Sequence, residues 1–227
     1  MKENVVISLG GSQIIKDNKI NVSFLEKFKE ILNRHKSKYN FIVVCGGGSV
    51  ARMYISGLKK QSEKLQSFAG ISVTRTNARF MSYFFGNNQL EGIPHTMIDV
   101  KKLLKKQDMV FCGALEYRPH QTSDSTAAQI ASELNAEFVN ITNVDGLYTG
   151  NPSTSKNVKF IPKISWKEFH KIASKISFKP GQHFVLDQKA SKIIMEKKIK
   201  TYIVGNNLEN LNKVLNEKDF RGTLIVD

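Results

Sequence analysis

The sequence predicts an α/β fold, a three-layer sandwich in which helices cover both faces of a mainly parallel central sheet. Three observations carry that prediction. Short apolar runs alternate with segments of helical periodicity along the whole chain, which is the grammar of βαβ units. Several runs, such as Val5-Val6-Ile7-Ser8-Leu9 and Phe41-Ile42-Val43-Val44-Cys45, are apolar nearly throughout rather than alternating, as strands buried on both faces must be. These two runs also stop abruptly at glycines, Gly10-Gly11-Ser12 and Gly46-Gly47-Gly48, the punctuation of a strand that turns directly into another element.

Taken in order, the strand at 5–9 and its glycine turn precede Ile14-Ile15 and Ile20-Asn21-Val22, which flank the polar Lys16-Asp17-Asn18-Lys19 as in a small hairpin. Ser23 with Glu26 three residues on reads as a capping box ahead of Leu25, Phe28, Ile31 and Leu32 at helical spacing. After the strand at 41–45, the residues Ser49-Val50-Ala51-Arg52-Met53-Tyr54 read as the first turns of a helix. Ile71, Thr74, Ala78, Met81 and Phe85 mark a second, longer helix with Arg75 and Arg79 off its apolar stripe. Met109-Val110-Phe111-Cys112-Gly113 is the next strand, 116–123 a polar loop, and Asp124 opens an Ala-rich helix over 125–134. A strand at 137–142 leads into a long turn-forming segment at 143–152. Ser165 and Glu168 form another capping box before Trp166, Phe169 and Ile172; 175–183 is loop-like; and Asp187 is placed to cap a helix carrying Ala190, Ile193 and Ile194. A strand at 201–204, a helix carrying Leu208, Leu211, Val214 and Leu215, and a strand at 223–226 complete a single domain spanning 1–227.

Composition narrows the function classes. With 227 residues, 41% hydrophobic and 24% charged, the chain has an ordinary globular make-up and can bury a sizeable core. No apolar run approaches membrane-spanning length, and the start lacks a secretory leader pattern, so a cytoplasmic protein is expected. Cys45 and Cys112 each end an apolar strand run and are expected to be buried, reduced thiols rather than a disulfide or a metal site. The net charge of +14 is unusual. Its lysines are scattered along helices, as in Lys101-Lys102-Leu103-Leu104-Lys105-Lys106, the pattern of a solvated helix face, and the chain carries no helix-turn-helix, RRM or zinc pattern.

In open parallel sheets, ligands sit beyond the carboxyl ends of the strands, and the polar segments of this chain gather there. Glycines let backbone N–H groups approach an anion closely, a helix N-terminus adds unpaired donors, and Arg52 stands one turn in to supply a full charge. One glycine turn alone is as readily a plain tight turn; two at neighbouring strand ends make a nucleotide-phosphate cradle. The loop Tyr117, Arg118, Pro119, His120, Gln121, Thr122, Ser123 gathers donors at a strand-loop-helix junction, suited to a second anionic group or to ordinary helix capping.

Leu9-Gly10-Gly11-Ser12, Gly46-Gly47-Gly48-Ser49-Val50-Ala51-Arg52, Gly70-Ile71-Ser72-Val73-Thr74-Arg75-Thr76-Asn77-Ala78, Thr122-Ser123-Asp124, Ile141-Thr142-Asn143-Val144-Asp145-Gly146-Leu147-Tyr148-Thr149 and Leu186-Asp187 with Lys192-Ile193-Ile194 together resemble the amino acid kinase family, most closely its archaeal type of uridylate kinase. The resemblance spans essentially the whole chain. It implies Mg²⁺-ATP over the carboxyl end of the sheet, UMP opposite, and homo-oligomers, typically hexamers built from dimers. It implies ATP contacts for Gly11, Ser12, Gly48, Arg52, Thr142, Asn143, Tyr148 and Asn151, with 125–227 mainly on the ATP side. UMP contacts fall to Gly47, Ser67, Tyr117, Arg118, Pro119, His120, Gln121, Thr122 and Ser123, within 1–124. Asp124 matches an aspartate that organises cationic groups around the transferred phosphoryl; its plainer reading is a helix-start carboxylate.

The chain departs from the family pattern at four places. Ser8 stands where many members have lysine, so the stabilising cation has to come from Arg52, Lys189 or Lys192. Ser67 replaces an aspartate on the UMP ribose, His120 a glycine after Pro119, and Asn151 an aspartate near the ATP ribose. These leave open a kinase of the same fold with another small acid or phosphate as acceptor, a catalytically weak nucleotide-binding regulator, and, on charge alone, a nucleic-acid binder.

Overall fold

The computed structural model describes residues 2–87, 92–119, 121–150, 158–175 and 185–227. Strand β1 (Glu3–Leu9) runs into the short helix α1 (Gly11–Ile14) and a hairpin of β2 (Ile15–Lys16) and β3 (Lys19–Ile20). The hairpin turns through Asp17 and Asn18 with φ of 50° and 59°, the left-handed conformation that Asp and Asn tolerate in two-residue turns. Helix α2 (Val22–His35) follows, then β4 (Tyr39–Cys45), α3 (Gly48–Gly57) and the long α4 (Glu63–Phe84). Beyond these come α5 (Met97–Leu104), β5 (Met109–Cys112), α6 (Ser123–Leu134), β6 (Glu137–Ile141), and three two-residue strands, β7 (Leu147–Tyr148), β8 (Phe160–Ile161) and β9 (Lys163–Ile164). Helices α7 (Trp166–Ala173) and α8 (Gln188–Lys197), strand β10 (Thr201–Val204), helix α9 (Leu208–Leu215) and strand β11 (Gly222–Ile225) close the chain.

The main sheet has the order β5-β4-β1-β6-β10-β11-β9. Neighbouring strands are parallel except for β10 and β11, so that β11 and β9 run opposite to the rest; the mainly parallel sheet agrees with the fold class read from the sequence. Because side chains alternate across a strand, β1 sends Val5, Ile7 and Leu9 into one core and Val6 into the other. The first core packs α2, α4 and α9 through Phe28, Leu25, Met81 and Leu211. The second packs α6, α7 and α8 through Ala127, Ala131, Phe169 and Ile194. Aromatic side chains fill both layers: Phe28, Phe41, Phe111, Phe138 and Phe169 are wholly buried. Cys45 and Cys112 are free and buried, as expected, and burial raises both thiols well above their ordinary range.

Among the described helices, α4 to α9 each start at a residue whose side chain caps them. Thr122, Ser165 and Asp187 cap α6, α7 and α8 through their side chains. The Ser23 cap read from the sequence is not formed: α2 begins at Val22, and its N-cap Asn21 makes no side-chain cap bond. Asn21 N donates to Ile14 O at 2.9 Å, so the hairpin pairing fixes where the chain enters the helix before Ser23 is reached. The segment read as loop at 175–183 lies almost wholly outside the described residues, as do His120 and Asn151.

Candidate active site

Register brings the carboxyl ends of three strands level. Leu9 pairs with Cys45 on one side and with Ile141 on the other, so the glycine turn after β1 meets the turn after β4 and the end of β6 at one edge of the sheet. Gly46 N donates to Leu9 O at 2.9 Å and Gly10 N to Ile141 O at 3.2 Å. The two glycine turns touch backbone to backbone. A Cβ on Gly11 would collide with Gly48 N and stand 2.6 Å from the Gly47 carbonyl carbon, and Gly48 has φ of +62°. Only glycine satisfies both the contact and the dihedral. Neither α1 nor α3 has a side-chain cap, which leaves their first N–H groups without a capping acceptor, the condition under which an anion finds donors and a positive dipole end. Asn77 from α4 secures the second turn, its Nδ2 donating to Gly46 O at 2.8 Å in a buried bond.

These turns form one wall of a cleft of about 230 Å³. Gly11, Ser12, Gly47, Gly48, Arg52, Ser67, Gln121, Thr122, Ser123, Asp124, Thr142 and Asn143 all line it. The structure therefore gathers most of the residues singled out from the sequence around a single space. Tyr117, Arg118 and Pro119 flank it without lining it: Tyr117 packs on Phe68 with ring centroids 5.1 Å apart, and Arg118 lies 3.8 Å from Glu116. Tyr148 stacks edge-on against Phe160 in the β7–β8 pair, also outside the lining. Lys192 is exposed and faces Glu196 at 3.7 Å along α8, while Lys189 Nζ reaches Pro119 O at 3.3 Å.

The wall opposite the glycines carries two carboxylates. Ser8 shares the face of β1 that holds Val6, the face covered by α6, and its Oγ donates to Asp124 Oδ1 at 2.6 Å. Burial and the neighbouring charge of Asp187 push the Asp124 carboxyl up to about 7, against the pull of the Ser8 hydroxyl. Asp187 is itself buried and fully occupied: Ser125 Oγ donates to it at 2.7 Å, Ala190 N at 2.8 Å, and Thr122 Oγ1 makes a further bond. Asn140 Nδ2 donates to Val185 O beside it, holding the chain that enters α8. Asp187 was legible as a helix cap and as part of the family pattern, with no role assigned to it; its place beside Asp124 rests on Thr122 and Ser125, more than sixty positions away in sequence. Among the described residues, no group of three or more His, Cys, Asp or Glu side chains stands close enough to hold a metal.

The described residues of the cleft place uncapped amides and an arginine on one wall and a carboxylate of raised pKa on the other, an arrangement suited to anionic groups. That is the requirement of phosphoryl transfer, where positioning and charge stabilisation supply the catalysis. Fold and cleft thus define a phosphotransferase of the open α/β class. The chain belongs to the amino acid kinase family, whose model matches residues 3–205. It is similar to the uridylate kinase of Thermoplasma acidophilum, with 33% identity covering 100% of this chain and 98% of that protein. It is 32% identical to the uridylate kinase of Pyrococcus abyssi over 88% of this chain and 89% of that one. Among solved structures, uridylate kinase from Archaeoglobus fulgidus superposes with a TM-score of 0.82 at 31% identity, covering the whole of both chains. UMP kinase from Ureaplasma parvum, at 21% identity and a TM-score of 0.79, shares the fold.

Proposed function

We propose that this protein is a UMP kinase, transferring the γ-phosphoryl of ATP to UMP to give UDP and ADP. The observation that carries the reading is the full-length likeness to uridylate kinases at about a third identity, joined to a cleft whose walls suit two facing phosphate groups. An oxygen of the UMP phosphate attacks the γ-phosphorus as the bond to the ADP oxygen breaks. No general base is needed, since a phosphate monoester loses its second proton at about pH 6.

Gly11, Ser12 and Gly48 would hold the ATP phosphates through backbone amides, with Arg52 neutralising charge at the transferred group. Thr142, Asn143 and Tyr148 would meet the nucleoside end of ATP. Gly47 and Ser67, with the loop from Tyr117 to Ser123, would hold UMP. Asp124, facing the glycine turns, would orient the cations around the reacting phosphoryl. Mg²⁺ bound with ATP would neutralise its phosphates. The residues fit a metal held chiefly by phosphate oxygens and water, because the Asp187 oxygens are already taken by Thr122, Ser125 and Ala190. Family resemblance further supports a cytoplasmic homo-oligomer, a hexamer built from dimers. No helix among the described residues is long and apolar enough to cross a membrane.

One observation favours a second reading. Ser67 lines the cleft without charge where a carboxylate would grip a ribose, which suits another small acid or phosphate as acceptor. ADP release from Mg²⁺-ATP, with UMP, CMP, dUMP, AMP and a set of amino acids offered separately, separates the two. UMP-dependent turnover at least about tenfold above the others is expected; turnover with a different acceptor and none with UMP would overturn the assignment.

A further inference from the structure

The loop after β5 carries most of the proposed UMP contacts, yet Arg118 and Pro119 are exposed. What fixes its departure from the sheet is α4. Gly113 packs directly on that helix: a Cβ there would stand 2.6 Å from Arg75 N and from Thr74 Oγ1. Thr74 Oγ1 accepts from Ala114 N at 3.0 Å while donating to Ile71 O at 2.7 Å. Arg75 Nε donates to Ala114 O at 3.2 Å, and its Nη2 donates to Leu115 O. Successive peptide groups are thus held by two adjacent residues of one helix turn. The guanidinium is half-buried and forms no ion pair among the described residues. Its charge is directed at backbone carbonyls, a use for which the planar fork of arginine suits two acceptors at once and the point charge of lysine does not.

We propose that Arg75 is a positioning residue: by clamping the carbonyls of Ala114 and Leu115 it sets the path along which the acceptor loop leaves β5, and so sets affinity for the acceptor. The identity of that acceptor rests on the UMP kinase reading; the clamp does not.

The test uses the full chain with R75M and R75K. With R75M, KM for UMP should rise about tenfold or more, while KM for ATP and kcat at saturating UMP stay within about threefold, a split that general destabilisation does not produce. R75K should recover part of the loss. Hydrogen exchange without nucleotide should quicken over 113–119 in R75M and stay unchanged in β1 and β6. Equal rises in both KM values, or unchanged exchange at 113–119, would overturn the proposal. If the wild-type protein does not turn over UMP, the exchange comparison still decides the clamp; if R75M does not fold, R75K against wild type decides it by the same two readouts.

Discussion

The two walls of the cleft are built on opposite plans. The glycine wall is backbone: Gly11 and Gly48 meet without side chains, at the ends of strands aligned by the sheet register. The acidic wall is side chain: Ser8, Thr122, Asp124, Ser125 and Asp187 come from β1, α6 and the entry to α8 and hold one another by hydrogen bonds. A backbone wall fails as a unit when any atom is added to it. A side-chain wall degrades by degrees, and its charge state responds to pH.

The sharpest way to break this comparison is to put a methyl group into the glycine wall. Gly11→Ala should cut ATP-dependent turnover by about 10²-fold or more, since the collision with Gly48 displaces the amides that face the ligand, and should destabilise by about 1–3 kcal/mol. Gly57→Ala, where nothing lies within 4 Å, is the control and should leave both unchanged.

Asp124→Asn should lower kcat by about 10²-fold and yet raise thermal stability at alkaline pH. The native Asp124 holds its proton up to about 7, whereas the unfolded chain gives it up near the ordinary value of 3.8. Wild-type stability therefore declines as pH climbs through that window, and the variant is spared the decline. Melting curves should show a gain of about 2–4 °C per kcal/mol at about pH 8 that vanishes near about pH 4. A constant difference across pH would argue that burial and the charge of Asp187 do not raise the Asp124 carboxyl. Ser125→Ala removes a donor from buried Asp187 and should cost about 1–3 kcal/mol in urea unfolding. The smallest effect is expected at Lys192, exposed beside Glu196: Lys192→Met should change kcat by less than about twofold, in keeping with the small worth of surface pairs.

How legible each wall was follows from the same difference. The glycine turns announce themselves because the cause is local: an apolar run, then residues without Cβ. The strands of the sheet core followed from their apolar runs, and the caps of α7 and α8 from Ser165 and Asp187 at helix starts. The acidic wall was legible only in part. Asp124 stood out as a helix-start carboxylate, but its bond to Ser8 spans 116 positions and depends on β1 lying beneath α6. Two-residue strands such as β7 and β9 are too short to carry a period. The α2 start was misplaced because the hairpin, a pairing between separate residues, overrides the local capping signal of Ser23. The Thr96–Asp99 capping box of α5 was present in the sequence as T-x-x-D and could have been read.

The central place of β1 has a consequence for synthesis. It precedes both of its neighbours, β4 and β6, in the chain, and β6 arrives only at residues 137–141. While the ribosome is still making α6, one long apolar edge of β1 has no partner, the condition under which nascent chains pair with one another instead. Nascent chains stopped just before β6 should therefore depend on chaperones for solubility, and those stopped just beyond it should not.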